Sequence, residues 1–152
     1  MSVTLEEARR IVSVAQAAGA EHRMMPLTVA VLDTGGHLVA LERQDGSGIM
    51  RVEIAIGKAY AALGMGVPTR LLRDRLANRP HFVSGLAAAA DGRFIAVPGG
   101  VLIRQQGRLI GAVGISGDTS DKDEFCAITA IQAAGLEADP DAQTPGWEQS
   151  KL

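Results

Sequence analysis

Apolar residues near the N-terminus recur at the three- and four-residue spacing of one helix face. They are Leu5, Ala8, Ile11, Val12 and Ala15. Thr4 stands immediately before this run, and Glu7 follows Thr4 by three residues. This is the order of a capping box, in which each side chain satisfies a free backbone N–H of the other residue. The pattern predicts a first helix over residues 5–18 that stops at Gly19.

Two apolar, strand-forming runs follow over residues 27–33 and 37–43, with Thr34-Gly35-Gly36 between them. Glycine reaches the positive φ of a tight turn without steric strain, so this order is typical of a β-hairpin. Another pair of runs, 101–104 and 108–116, flanks a turn at residues 105–107 and predicts a second hairpin.

The longer strand of the second hairpin is apolar on both sides. Because side chains alternate along a strand, regular pairing places Leu109 with Val113 and Ile115 on one face, and Ile110 with Ala112 on the other. Both faces of the sheet are therefore expected to be covered.

Two helices and a long connection are predicted between the hairpins. The helix over 49–64 is apolar on nearly all sides, which indicates a sheet on one side and another helix or subunit on the other. A short helix over 69–77 is expected to be capped by Thr69. Residues 78–98 lack periodicity, and we expect a long functional loop that holds one or two helical turns and a short strand over 94–97.

A last helix is predicted to follow Ser120 and to end near residue 134. Ser120 is the expected cap, Gly135 the expected C-terminal stop, and the acidic residues of the first turn suit the positive end of the helix dipole. The hairpins and helices together predict an α/β (α+β) fold, with an antiparallel sheet between helices, in one domain over residues 1–138. The polar tail 139–152 is expected to pack loosely or against a neighbour.

Composition narrows the function classes. The chain has 152 residues, of which 47% are apolar and 21% charged, which is typical of one folded domain. The net charge of -2, without a cluster of Lys or Arg, argues against nucleic acid as a partner. No apolar run approaches the length of a membrane span, and the N-terminus lacks the features of a secretion signal. The single Cys126 cannot form an internal disulfide, so a cytoplasmic location is expected.

Several catalytic motifs are excluded by spacing. The glycines of Gly111-x-x-Gly114-x-x-Gly117 follow neither the dinucleotide fingerprint nor the P-loop pattern. Ser116 lies in G-x-S-G rather than in G-x-S-x-G, so it is expected to contact a ligand or the helix entry and not to act as a nucleophile. The three histidines, His22, His37 and His81, are far apart, and no metal site is predicted.

Lys58 is the first candidate for a functional side chain. Helical spacing places it on an apolar face, where burial of an unpaired ammonium is costly. Its ammonium either extends along the surface to water or meets an acid group. That acid could come from Glu53, Asp45, the turn over residues 121–124, or a ligand.

Glycine pairs supply the second candidate. Gly99 and Gly100 follow Pro98, and Gly117 precedes the last helix, so their backbone N–H groups could together bind a carboxylate. The alternative is that these residues only form turns.

Three segments resemble the GlcG/HbpS-like family, which includes haem-binding proteins and the C-terminal domain of a corrinoid adenosyltransferase. They are VAVLDTGGHLVALERQDG, EIAIGKAYAALGMGVPT and VPGGVLIRQQGRLIGAVGISGDTSDKDEFCAITAI. The resemblance covers about residues 4–136. It implies a profilin-like domain with an antiparallel sheet of about five strands flanked by helices, assembled into dimers or larger homo-oligomers.

The resemblance leaves three functions open. The first is a small-ligand protein that binds haem or another tetrapyrrole, with a His or Met ligand such as His22 or His81, and with Lys58 or an arginine such as Arg43 on the propionates. The second is a cofactor-independent lyase or isomerase for a small carboxylated metabolite, such as an aromatic hydroxylamine or a 2-hydroxy acid. The third is an accessory or assembly protein without catalytic activity. Where a ligand binds, its pocket is expected to lie between two subunits.

In the lyase hypothesis, each candidate residue has a role. Lys58 and the Gly99-Gly100 amides hold the acid group, together with Ser116, Gly117 and Arg43 as ligand-binding residues. Glu53, Asp123 or His81 transfers protons.

Overall fold

The computed structural model describes residues 1–152 and contains five α-helices and five β-strands. The helices are α1 (Leu5–Glu21), α2 (Arg51–Met65), α3 (Thr69–Leu76), α4 (Pro80–Ala89) and α5 (Ser120–Ala133). The strands are β1 (Thr28–Asp33), β2 (Leu38–Arg43), β3 (Gly100–Gln105), β4 (Arg108–Ser116) and β5 (Glu137–Asp139). A 3₁₀ turn follows at Trp147–Gln149.

The strands form one antiparallel sheet in the order β2-β1-β4-β3-β5. Helices α1 and α5 pack on one face around the main core, and α2 covers the other face with a smaller apolar cluster. The predicted single domain with an antiparallel sheet between helices is confirmed. None of the helices combines the length and apolar character that a membrane crossing requires.

The predicted capping box at the N-terminus is present. The Glu7 amide donates to Thr4 Oγ1 at 3.2 Å, and the Thr4 amide donates to Glu7 Oε2 at 2.8 Å. Helix α1 continues past Gly19 to Glu21, and the missing side chain of Gly19 makes room for Leu27, the residue before β1. Helix α5 begins at Ser120 itself, so the predicted cap is wrong, and Thr119 supplies the cap one residue earlier.

The connection over residues 78–98 is more ordered than predicted. It contains helix α4, in which no residue is fully buried, so its sequence lacks the one-sided apolar pattern of a core helix. Residues 94–97 form no strand, since Phe94 packs beside α3 and the Ile95 amide donates to the Gly57 carbonyl of α2 at 3.2 Å. The fifth strand is instead Glu137–Asp139, which pairs with β3.

A β-bulge changes which face two residues occupy. Ile103 of β3 pairs with Gly111, whereas Arg104 pairs with Leu109, so Ile110 is the extra residue of β4. Ile110 therefore joins the main core with Val113 and Ile115, while Leu109 packs against the cluster under α2. The predicted face assignment is wrong at Leu109 and Ile110 because it assumed uninterrupted alternation.

Helix α2 lies unusually close to the sheet. A Cβ atom at Gly114 of β4 would overlap the carbonyl oxygen of Ala55 in α2. Gly114 is therefore the contact point where helix backbone meets strand backbone. The small residues of this sheet face leave room for α2 itself.

Candidate functional site

Lys58 and Asp123 form a buried ion pair between α2 and α5. The Lys58 side chain is almost completely buried, and its Nζ lies 3.2 Å from Asp123 Oδ2. The same ammonium donates to the Ile115 carbonyl at 2.8 Å. The prediction that Lys58 meets an acid of the 121–124 turn is therefore confirmed. The alternative prediction, that its ammonium extends along the surface to water, is wrong.

Asp123 also orders the turn between β4 and α5. Its Oδ1 accepts the Asp118 amide at 3.0 Å, and the Gly117 amide also hydrogen-bonds to this carboxylate. Burial raises the pKa of Asp123 to about 6, against the attraction of the Lys58 ammonium. Burial likewise lowers the pKa of Lys58. Each charge therefore offsets the free-energy cost of removing the other from water.

The predicted anion-binding glycines lie beside this pair, and the amide of Gly100 is already used by the fold. The Gly100 amide donates to Thr69 Oγ1 at 2.8 Å, and the same hydroxyl donates to the Gly100 carbonyl at 3.2 Å. Thr69 thus fastens α3 to β3 rather than capping its own helix. The Gly99 carbonyl accepts the Ile115 amide at 3.0 Å. None of the larger cavities is lined by Gly99, Gly100 or Lys58.

The other predicted site residues lie apart. Ser116 is buried and accepts a hydrogen bond from Arg51 Nη1 at 3.1 Å. Glu53 is exposed on the first turn of α2, and His81 is exposed on α4. The structure brings together Lys58, Asp123 and the predicted glycines, but it does not bring Glu53 or His81 to them.

Two adjoining cavities, which we call the Met24 groove, open where the loop after α1 meets the end of β2 and the start of α5. The larger cavity, about 550 Å³, is lined by Met24, Met25 and Arg43 among others. The smaller, about 300 Å³, is lined by residues that include His22, Met24 and Trp147. These volumes lie in the range of small-molecule sites. Arg43, a predicted ligand-binding residue, thus lines a cavity.

An aromatic cluster adjoins the groove, and two of its members, His22 and Trp147, line the smaller cavity. The rings of Phe125 and Trp147 are stacked, with centroids 3.8 Å apart and planes 9° apart. The exposed imidazole of His22 meets both rings edge-on, at 4.8 Å from Phe125 and 5.3 Å from Trp147. His22 is therefore an accessible nitrogen donor held beside the edges of two stacked aromatic rings.

Sulfur and charged side chains of both signs complete the groove, since Arg23, Arg43 and Lys122 line it together with Glu21, Glu42, Asp45 and Glu148. The Cys126 thiol donates to Met24 Sδ at 3.4 Å, and burial raises the pKa of Cys126 to about 12, so this thiol is a packing group. Met25 is 63% exposed, and Arg23 and Lys122 line the smaller cavity. No group of three or more His, Cys, Asp or Glu side chains is placed to hold a metal ion directly. The cluster of His and Met at residues 22–25 was the one local signal for this site.

Comparisons with known proteins agree on one family. A family model for haem-degrading HbpS-like proteins matches residues 3–132. The crystal structure of a PduOC:heme complex superposes with a TM-score of 0.81, at 25% identity, over 91% of this chain and 99% of that chain. The crystal structure of HbpS gives a TM-score of 0.76, at 28% identity, over 88% of this chain and 90% of that chain.

A longer relative matches over part of its length. The corrinoid adenosyltransferase PduO of Citrobacter freundii is 27% identical over 136 residues, which is 90% of this chain and 40% of that protein. The chain thus corresponds to well under half of that enzyme.

Proposed function

We propose that this chain, which belongs to the family of haem-degrading HbpS-like proteins, binds haem in the Met24 groove. The observation that carries the proposal is the exposed His22 imidazole, held against two aromatic rings beside an open cavity of about 300 Å³. Imidazole and thioether are both common axial ligands of haem iron. The family match and the similarity to a PduOC:heme complex support the same ligand.

The donor set of the groove fits haem in three respects. His22 supplies nitrogen, and Met24 and Met25 supply thioether sulfur on the same loop. The Trp147 ring lines the smaller cavity and offers an aromatic surface to a flat macrocycle. Arg23, Arg43 and Lys122 can pair with the carboxylates of the propionates, beside the four acidic side chains that line the same cavities. When bound, haem would supply iron-centred redox chemistry.

The lyase hypothesis placed Lys58 on the acid group of a substrate and Asp123 among the candidate proton-transfer residues, and their positions do not favour those roles. Lys58 and Asp123 satisfy each other, and the larger cavities do not reach them. We therefore assign this pair to stability and the Met24 groove to the ligand.

Substitution of His22 tests the proposal. Titration of the wild-type protein with haemin is expected to give a saturable, red-shifted Soret band. The fluorescence of Trp147, the single tryptophan, should be quenched as haem binds close to it. His22→Ala removes the axial nitrogen and should weaken haem affinity by at least about tenfold and shift the Soret maximum.

His81→Ala is the matched control, because His81 is also exposed but lies on α4, and it does not line the groove. It is expected to behave as wild type. A wild-type protein without a saturable Soret shift would refute haem binding. A loss confined to His81→Ala would place the ligand elsewhere.

We further propose that the chain forms a homo-oligomer through the N-terminal end of α2. Ile49 is 89% exposed and Met50 65% exposed, side by side at the start of this helix. Apolar side chains exposed to this degree in adjacent positions favour contact with another molecule. The double variant Ile49→Glu/Met50→Glu is expected to sediment as a smaller species than wild type in analytical ultracentrifugation. Equal sedimentation of the two proteins would refute this interface.

A further inference from the structure

We infer that Trp147, carried by the C-terminal segment 139–152, is a positioning residue for His22. The inference rests on the haem-binding function proposed above and adds a part of the chain that the family match leaves out, since that match ends at residue 132. Its physical basis is the contact of one tail side chain with the exposed imidazole.

The tail is fastened to the domain along its length. Arg70 Nη2 donates to the Ala142 carbonyl at 2.8 Å, and Gln132 Nε2 donates to the Asp141 carbonyl at 2.9 Å. Farther along, the Ser120 amide donates to the Leu152 carbonyl at 2.7 Å. These bonds join the tail to α3 and α5, so the 3₁₀ turn at Trp147 is held between fixed points.

A second contact ties the tail to a buried charge. Glu124 is fully buried and paired with Arg70, and it accepts the Thr144 hydroxyl at 3.4 Å. Thr144 lies three residues before Trp147. The tail is therefore linked to the same helix, α5, that carries Phe125, the stacking partner of Trp147.

His22 has few other restraints. It ends α1 at an exposed position, and no hydrogen bond from its side chain is present. Free rotation of an exposed side chain opposes binding because that freedom is lost when a ligand is bound. The edges of Phe125 and Trp147 restrict the imidazole to fewer orientations, and Trp147 also lines the smaller cavity. The tail thus pre-orders the ligand nitrogen and forms one side of its pocket.

The test compares Trp147→Ala with Trp147→Phe in haemin titrations. One aromatic edge contact corresponds to about a two- to tenfold change in affinity, so Trp147→Ala should weaken haem binding by that factor. It should also change the Soret maximum and the ratio of high-spin to low-spin ferric haem in electron paramagnetic resonance, because the imidazole is less well placed. Trp147→Phe keeps a ring on Phe125 and should restore most of both signals.

The outcomes separate this inference from the function on which it rests. Absence of a Soret shift in the wild type would refute haem binding itself. A wild type that binds haem through His22, together with a Trp147→Ala variant of unchanged affinity and spin state, would refute the positioning role alone. Weaker binding with an unchanged spin state would also refute it, because that pattern describes a lost wall contact. Circular dichroism of Trp147→Phe, expected to match wild type, provides the folded reference.

Discussion

Lys58→Met is expected to lower the free energy of unfolding by about 3–5 kcal/mol, measured by urea denaturation with circular dichroism. Asp123 is only 1% exposed, so the substitution leaves its carboxylate buried without a neighbouring cation. It also removes the donor to the Ile115 carbonyl. Methionine has a similar length and apolar stem, so the loss reports on charge and hydrogen bonding more than on packing.

The double variant Lys58→Met/Asp123→Asn separates the pair from its surroundings. Asparagine keeps an oxygen that can accept the Asp118 amide, but it leaves no unpaired charge. The loss in the double variant should therefore be smaller than the sum of the two single losses, by up to about 3 kcal/mol. Additive losses would contradict a direct interaction between the two side chains.

An exposed pair provides the control for this effect. Arg73 Nε lies 3.0 Å from Asp74 Oδ1, and the two side chains are 41% and 60% exposed. Arg73→Met should change the free energy of unfolding by less than about 1 kcal/mol, because solvent screens the charges. If Lys58 acts only in the fold, the folded Lys58→Met protein should bind haem with wild-type affinity. Loss of haem affinity in that protein would mean that Lys58 contributes to ligand binding as well as to stability.

Local interactions explain the parts of the fold that the sequence predicts well. The Thr4–Glu7 capping box and the glycine turn at residues 34–36 depend on residues that are neighbours along the chain. The partner of Lys58 was restricted by a simple physical rule, since a buried ammonium needs an acid nearby. The choice of Asp123 among several acids depended on how α5 lies against α2, which no local pattern encodes.

The parts that the sequence did not predict arise from contacts between distant segments. The bulge at Ile110 follows from the pairing register of β3 and β4. Strand β5 has three residues, too few to show alternation, and is defined by its partner. The Met24 groove joins the end of α1, the end of β2 and the C-terminal tail. In the sequence His22 is an isolated histidine, because its aromatic neighbours Phe125 and Trp147 lie about 100 or more residues away.

Gly114→Ala is the second substitution with a large expected effect, about 3 kcal/mol or more in the free energy of unfolding. The new methyl group would overlap the Ala55 carbonyl oxygen, a backbone atom that cannot rotate away. Helix α2 must then move from the sheet, which opens the apolar cluster of Leu32, Leu102 and Ala112 beneath it. Overpacking of side chains alone costs about 1–3 kcal/mol, and a displaced helix backbone adds to that cost.

Gly64→Ala is the matched control, because Gly64 belongs to the same helix and a Cβ atom there meets nothing within 4 Å. Alanine favours the helix over glycine, so this variant should be equal to wild type or more stable by up to about 1 kcal/mol. Equal stability of the two alanine variants in urea denaturation would contradict the close contact at Gly114. A large loss at Gly114 alone would mean that the missing side chain at this position of β4 serves the approach of α2 and does not leave open space for a ligand.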